Sequence, residues 1–135
     1  MPEYKTIDVP TGTYIAWGKL GQEVTLKTLS FDPAGGKDFN GNICALLIGT
    51  LVTDCDNYRE LRSGAKHERL SAGETVNVDG ATTNLRKGLL LAAPKTGDFV
   101  RMTYVDTYKT AAGDGKVIKV EHAPAESDAV TEDDI

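Results

Sequence analysis

From Gly21 to Phe31 the chain alternates between apolar and polar positions, and the alternation breaks once. Val24 and Leu26 share one face of an extended segment, whereas Leu29 and Phe31 continue in the opposite phase. An extra residue near Lys27 and Thr28 would reconcile the halves, so a bulged first strand is predicted. Residues 33–42 are dense in Pro, Gly, Asn and Asp and read as a turn. Residues 43–52 are short and almost continuously apolar, which predicts a buried second strand. The polar stretch 54–69 carries no such pattern and is expected as a surface excursion. A third strand follows around Thr75 to Val78, ended by the Asp79-Gly80 turn.

Residues 81–94 are the one good helix candidate. Thr82 or Thr83 stands at the N-cap, Leu85, Leu89 and Ala92 share a face, and Pro94 stops the run. Gly88 inside it costs about 1 kcal/mol relative to Ala, which points to a close contact at that position. Beyond a tight turn, residues 95–105 alternate Val100, Met102 and Tyr104 against Phe99, Arg101 and Thr103, and the first set forms the core face of a fourth strand. Residues 106–116 read as a long polar hairpin loop and 116–122 as the fifth strand. The first twenty residues mix Pro2, Pro10, Gly12 and Gly18 with Tyr4, Tyr14 and Trp17, an extended lead-in expected to pack on the domain.

Charge changes the picture at the C-terminal end. The 135 residues include 20 acidic and 15 basic side chains, and five of the acidic ones, Glu126, Asp128, Glu132, Asp133 and Asp134, fall in the last ten positions with no Lys or Arg among them. The body before them is electrically neutral. An acidic segment without aromatics cannot offset its ordering entropy, so residues 124–135 are expected to be a disordered, solvated tail behind a single domain spanning 21–123. Neither a secretory leader nor an apolar run of membrane-spanning length is present, which suggests a cytoplasmic protein and no membrane partner. Cys44 and Cys55 form no multi-bridge framework, and reduced thiols are expected.

Three strands, a helix and two strands within residues 21–122 resemble the OB-fold, an all-β, five-stranded Greek-key barrel with its helix between strands three and four. The helix runs into Pro94-Lys-Thr-Gly-Asp98 and then a strand, as in many small OB-fold proteins. The whole chain is similar to short bacteriophage-encoded OB-fold proteins that bind single-stranded DNA, whose acidic tails carry runs such as Asp-Asp-Ile close to the end. Here the last residues are Asp133-Asp134-Ile135. The resemblance implies single-stranded DNA bound with little sequence preference, in the host cytoplasm, during replication, recombination or repair. It further implies that the tip Asp133, Asp134 and Ile135 docks partner proteins of those processes, while the tail competes with nucleic acid for the groove.

In that family the ligand crosses the second and third strands and is gripped by the loops joining strands one to two and four to five. The first loop, residues 32–42, offers Lys37 and Phe39, and the second, residues 106–116, offers Tyr108 and Lys109. Each pairs a ring for a base with a cation for a phosphate, and such stacking is worth about 1–3 kcal/mol per base. The excursion adds Tyr58, Arg59, Arg62 and Arg69, with acidic Asp54, Asp56, Glu60 and Glu68 interleaved. Lys27 on the first strand faces either the groove or plain solvent. A neutral body implies few phosphate contacts and a shallow salt dependence.

Other readings of the same residues stay open. Phe39 and Tyr108 stack bases or fold back over the barrel ends; Trp17 stacks a base or covers an open end. Tyr104 shares the phase of the core residues. His67, Cys44 and Cys55 lack any Cys-x-x-Cys spacing, and Asp38 stands where the phosphate loop suggested by Gly35-Gly36-Lys37 requires Ser or Thr, so neither a metal site nor a nucleotide-hydrolysing loop is expected. No catalytic residues and no cofactor are expected. The rival functions are a protein-interaction module binding a host or phage protein and an RNA-binding OB domain, and a homo-oligomer is compatible with each.

Overall fold

The computed structural model describes residues 12–37, 41–61, 64–80, 82–111 and 113–125. A two-residue strand, β1 (Thr13–Tyr14), precedes the long strand β2 (Glu23–Lys37) and its partner β3 (Ile43–Leu51). Val24, Leu26 and Thr28 of β2 are buried. The β2–β3 register then slips between Thr28 and Ser30, leaving Leu29 exposed and bringing Phe31 against the core. The bulge read from the phase break is thus real and sits about one residue further along. A second slip between Asp32 and Gly36 is pinned by Asp32 Oδ1, which accepts the Ala34 N–H at 2.9 Å.

The excursion after β3 is a correction to the sequence reading. It folds into the hairpin β4 (Cys55–Leu61) and β5 (Gly64–Leu70), paired without interruption from Cys55↔Leu70 to Leu61↔Gly64. β6 (Thr75–Asp79), α1 (Thr83–Ala92), β7 (Phe99–Thr110) and β8 (Gly113–Ala123) follow. The expected hairpin loop 106–116 is likewise paired strand, with β7 and β8 in register out to Thr110↔Gly113. Thr and Tyr favour extended backbone, and a polar arm exposed on both faces carries no alternation to betray it.

Among the described residues the fold is mostly β with one helix, lying between the third and fourth expected strands. Its sheet is not the closed five-stranded barrel. Six strands run in the order β1-β6-β3-β2-β7-β8, and β4-β5 stand as a separate pair. Two contacts account for the open seam between β6 and β8. The far edge of β6 is taken by β1, in parallel register Thr13↔Val76 and Tyr14↔Asn77, and the Ile118 N–H of β8 is capped by Asn84 Oδ1 from α1 at 2.7 Å.

One core gathers Val24, Leu26, Leu47, Leu51, Val76, Val78, Val100 and Met102 from the sheet with Leu85 and Leu89 from α1. Trp17 and Tyr104 belong to it, which places both in packing and not in base stacking. The helix starts after Thr82 and ends at Ala93, whose left-handed backbone (φ 43°) lets its N–H bond Leu89 O just before Pro94. Gly88 lies against β8: a Cβ there would stand 2.6 Å from Val120 Cγ2. Gly88→Ala therefore lowers stability by about 1 kcal/mol despite Ala's better helix propensity, because a β-branched neighbour on a strand cannot move aside. Urea unfolding checks this; a stabilised variant would show that helix and strand separate easily.

The lead-in is strapped down by two buried amides. Asn57 Oδ1 accepts the Ala16 N–H at 2.7 Å and its Nδ2 donates to Tyr14 O and Glu68 Oε1 at 3.2 and 3.0 Å. Gln22 accepts the Gly18 N–H and donates to Ala16 O and Asp56 O. Part-way along β2, the turn after α1 folds onto the bulge: the Thr28 N–H donates to Asp98 O and the Gly97 N–H to Thr28 O.

Candidate nucleic-acid interface

Of the two loop pairs of ring and cation, Tyr108 and Lys109 are both described, and the structure separates them. Consecutive residues of a strand point to opposite faces, and both lie in paired β7, so a base on Tyr108 and a phosphate on Lys109 would belong to different sides of the arm. Tyr108 itself is well placed. Its register partner is Gly115, where a Cβ would stand 2.6 Å from ring atom Cε2, so the ring lies over the bare glycine and is 43% exposed. Glycine is required there for that approach.

Tyr58 is differently used. Its ring stacks on His67 across the hairpin, centroids 4.9 Å apart with 20° between planes, and its Cβ would be 2.5 Å from a Cβ on Gly18. One face of the Tyr58 ring is therefore taken by His67, and the half-buried residue lines a hollow with Lys19 and Arg69. Arg69 is paired too. Asp56 Oδ1 receives Arg69 Nη1 and His67 Nε2, each at 3.0 Å. Hydrogen bonds from His67 and then Arg69 hold the Asp56 carboxyl below its usual range, and the carboxylate in turn raises the Arg69 guanidinium. Arg69 is therefore neutralised locally. Arg59 stands opposite Lys66 in the β4–β5 register. The side chain of Arg59 lies outside the described residues, as do Phe39, Arg62, Asp133, Asp134 and Ile135 entirely.

Lys37 and Lys27 are both exposed but do not act together. Lys37 pairs with Ile43 and Lys27 with Thr50, seven positions apart on β3 and so on opposite faces. Lys27 is on the outer face, where its other neighbour is Phe99 of β7. Phe99 is 39% exposed and is the residue that sequence reasoning missed. Its outward phase is written in the alternation of 99–105, yet attention to loops passes over a ring on a regular strand. Two positions along, Arg101 is gripped by Glu121 through Nε–Oε1 at 2.8 Å and Nη2–Oε2 at 2.9 Å, with Lys119 Nζ 3.8 Å from the same carboxylate. Arg101 and then Lys119 hold the Glu121 carboxyl below its usual range.

Over β3 and β6, the face that the resemblance assigns to ligand, the outward positions Leu46, Thr50, Thr75 and Asp79 are half-buried and the other three are buried. Cys44, Ile48 and Asn77 stand in the outward phase yet are only 2%, 7% and 2% exposed, and Asn77 Nδ2 donates to Gly12 O at 3.0 Å. The open outer surface lies instead over β2 and β7. Two hollows flank the Lys27–Phe99 pair: one of about 300 Å³ bounded by Thr25, Phe99, Arg101 and His122, and one of about 550 Å³ bounded by Lys27, Leu29, Thr50, Val52 and Thr96.

Cys44 and Cys55 are buried thiols, and burial pushes the Cys55 thiol up to about 11, well away from a reactive thiolate. Among the described residues no group of three or more His, Cys, Asp or Glu is placed to hold a metal ion, and no helix is long and apolar enough to cross a membrane. No protein-family model, curated protein or solved structure matches this chain.

Proposed function

We propose that this protein binds single-stranded DNA with little sequence preference, as a passive coat that does no chemistry, in the manner of the phage-encoded OB-fold proteins it resembles. The single observation that carries the reading is the Tyr108 ring, laid over Gly115 on a β-arm that projects beyond the core. A flat ring supported from behind and open in front is what sequence-tolerant base stacking requires. The sheet supports it. With β1 set aside, the order β6-β3-β2-β7-β8 is third, second, first, fourth, fifth, an order compatible with a Greek-key barrel left open. β2 runs antiparallel to both β3 and β7, so the β2–β3 and β7–β8 hairpins project from opposite ends of β2 and flank the sheet's outer face.

On this reading the acidic tail, through Asp133, Asp134 and Ile135, recruits replication or recombination proteins in the host cytoplasm and competes with DNA for the cations. Truncation after Ala125 then tightens DNA binding. The primary test is fluorescence anisotropy with labelled oligo(dT), the same sequence as RNA, and duplex DNA. Oligo(dT) binding that exceeds duplex binding supports the proposal; equal or absent binding to both refutes it. Tyr108→Ala weakens oligo(dT) binding by about 1.5 kcal/mol, roughly tenfold, without changing the unfolding midpoint.

A protein-interaction module is the second reading, favoured by Leu91, 88% exposed on α1 beside exposed Leu90. It predicts that Leu91→Glu leaves oligonucleotide titrations unchanged while abolishing capture of a protein partner.

A further inference from the structure

The outward positions of β3 and β6 are buried or half-buried, whereas Lys27, Phe99 and Arg101 over β2 and β7 are exposed, which raises the question of where a strand of DNA crosses this molecule. We propose that it crosses the outer face over β2 and β7, at a subsite in which Phe99 stacks one base, Lys27 takes the adjoining phosphate, and the trough beside Leu29 and Val52 receives the next base. The proposal rests on the single-strand-binding reading above and moves its centre from the loops to the sheet.

Four observations converge on this site. Phe99 and Lys27 are direct register partners, so ring and cation share one face at one level of the sheet, the juxtaposition that Tyr108 and Lys109 lack. Lys27 forms no ion pair among the described residues, whereas Arg69 and Arg101 are both committed to carboxylates. The two hollows lie on either side of the pair, each with an apolar wall: Phe99 and Ala123 in one, Leu29, Leu51 and Val52 in the other. Neighbouring strands are about 4.8 Å apart, so Thr50, Lys27 and Phe99 span about 10 Å across β3, β2 and β7, room for one base on each side of a central cation.

The electrostatics suit a polyanion locally although the body is neutral overall. Glu121, the carboxylate on the wall of the Phe99 hollow, faces Arg101 and Lys119, and Glu23 of β2 also acts on Arg101, so with Lys27 this face sets three cations against two anions. His122 at the rim is turned to Asp98 and leaves the hollow to the ring. Leu29, the residue that the bulge leaves out of the β2–β3 register, lines the second hollow beside Thr50.

The test compares wild type, Phe99→Leu, Phe99→Ala and Lys27→Ala with Tyr108→Ala by anisotropy on labelled oligo(dT) over a range of salt. Phe99→Leu keeps an apolar side chain on the strand, so its circular dichroism and unfolding midpoint guard against a folding artefact. Both Phe99 variants are expected to weaken binding about tenfold. Lys27→Ala is expected to weaken it and to reduce the slope of log K against log salt by about 0.7, the value for one phosphate of a single strand. If the Phe99 and Lys27 variants bind like wild type while Tyr108→Ala does not, the subsite is wrong and the function stands. If wild type binds no single strand, both fall.

Discussion

Replacing Asn57 with Leu lowers the unfolding free energy by about 4 kcal/mol, the largest loss expected for any single side chain outside the apolar core. Asn57 is fully buried and joins three partners that are far apart in sequence: the Ala16 N–H, Tyr14 O and Glu68 Oε1. Leu has nearly the same shape, so no cavity opens. What is lost is satisfaction, since a buried amide left without an acceptor costs about 1–3 kcal/mol and the facing carbonyl and carboxylate add to it. For a domain of this size the midpoint falls by about 15 °C. Hydrogen exchange gives a local readout, because the Ala16 amide should exchange faster in the variant even where the sheet stays folded. A loss under about 1 kcal/mol would mean that the lead-in is held by other contacts than this amide.

Asn57 also shows where the sequence stops being readable. Strands β2, β3, β6 and β7 and helix α1 were legible because each writes its burial in apolar letters: Val24 and Leu26, Leu47 and Leu51, Val76 and Val78, Val100 and Met102, Leu85 and Leu89. β4 alternates just as regularly, Cys55 and Asn57 inward against Asp56 and Tyr58 outward, but one of its inward letters is an amide whose burial is licensed by hydrogen bonds from a segment forty residues away. Periodicity arguments weigh apolar groups and cannot see such a licence. The opposite failure left the barrel open on the page. An order of five strands says which elements exist and not which edge finds a partner, and β1, two residues long, takes the β6 edge that closure needs.

The candidate site was half legible for a related reason. Residue type alone nominated Tyr58, Arg69, Tyr108 and Lys109, yet whether a ring or a cation is available depends on what stands across the strand. Gly115 behind Tyr108 leaves a platform, whereas His67 takes one face of Tyr58 and Asp56 pairs with Arg69. Phe99 gained its neighbour Lys27 through a pairing between β2 and β7 more than seventy residues apart, which only the register reveals.

Asp98 carries the second large effect, and it is dependent on pH. Its carboxylate, almost fully buried, accepts the Lys95 N–H at 2.9 Å, the Ala125 N–H at 3.0 Å and His122 Nε2 at 2.8 Å, so it ties the turn after α1 to the end of β8. The Lys95 N–H first, then the His122 ring and the Ala125 N–H, hold its pKa at about 2, below the ordinary 3.8. A depressed carboxyl stabilises the fold above its unfolded pKa, where both states are ionised and only the folded one has these donors. As pH falls from about 3.8 through about 2 the unfolded chain binds the proton first, and that stabilisation drains away. Asp98→Asn removes it at every pH: one amide oxygen cannot serve three donors, and its NH₂ group faces N–H groups, a loss of about 3 kcal/mol near neutrality. Urea midpoints measured from pH 7 to pH 2 should therefore converge for wild type and variant towards the acid end. Parallel curves would mean that the Asp98 carboxyl titrates as it does in the unfolded chain, and that the turn is held by its backbone bonds alone.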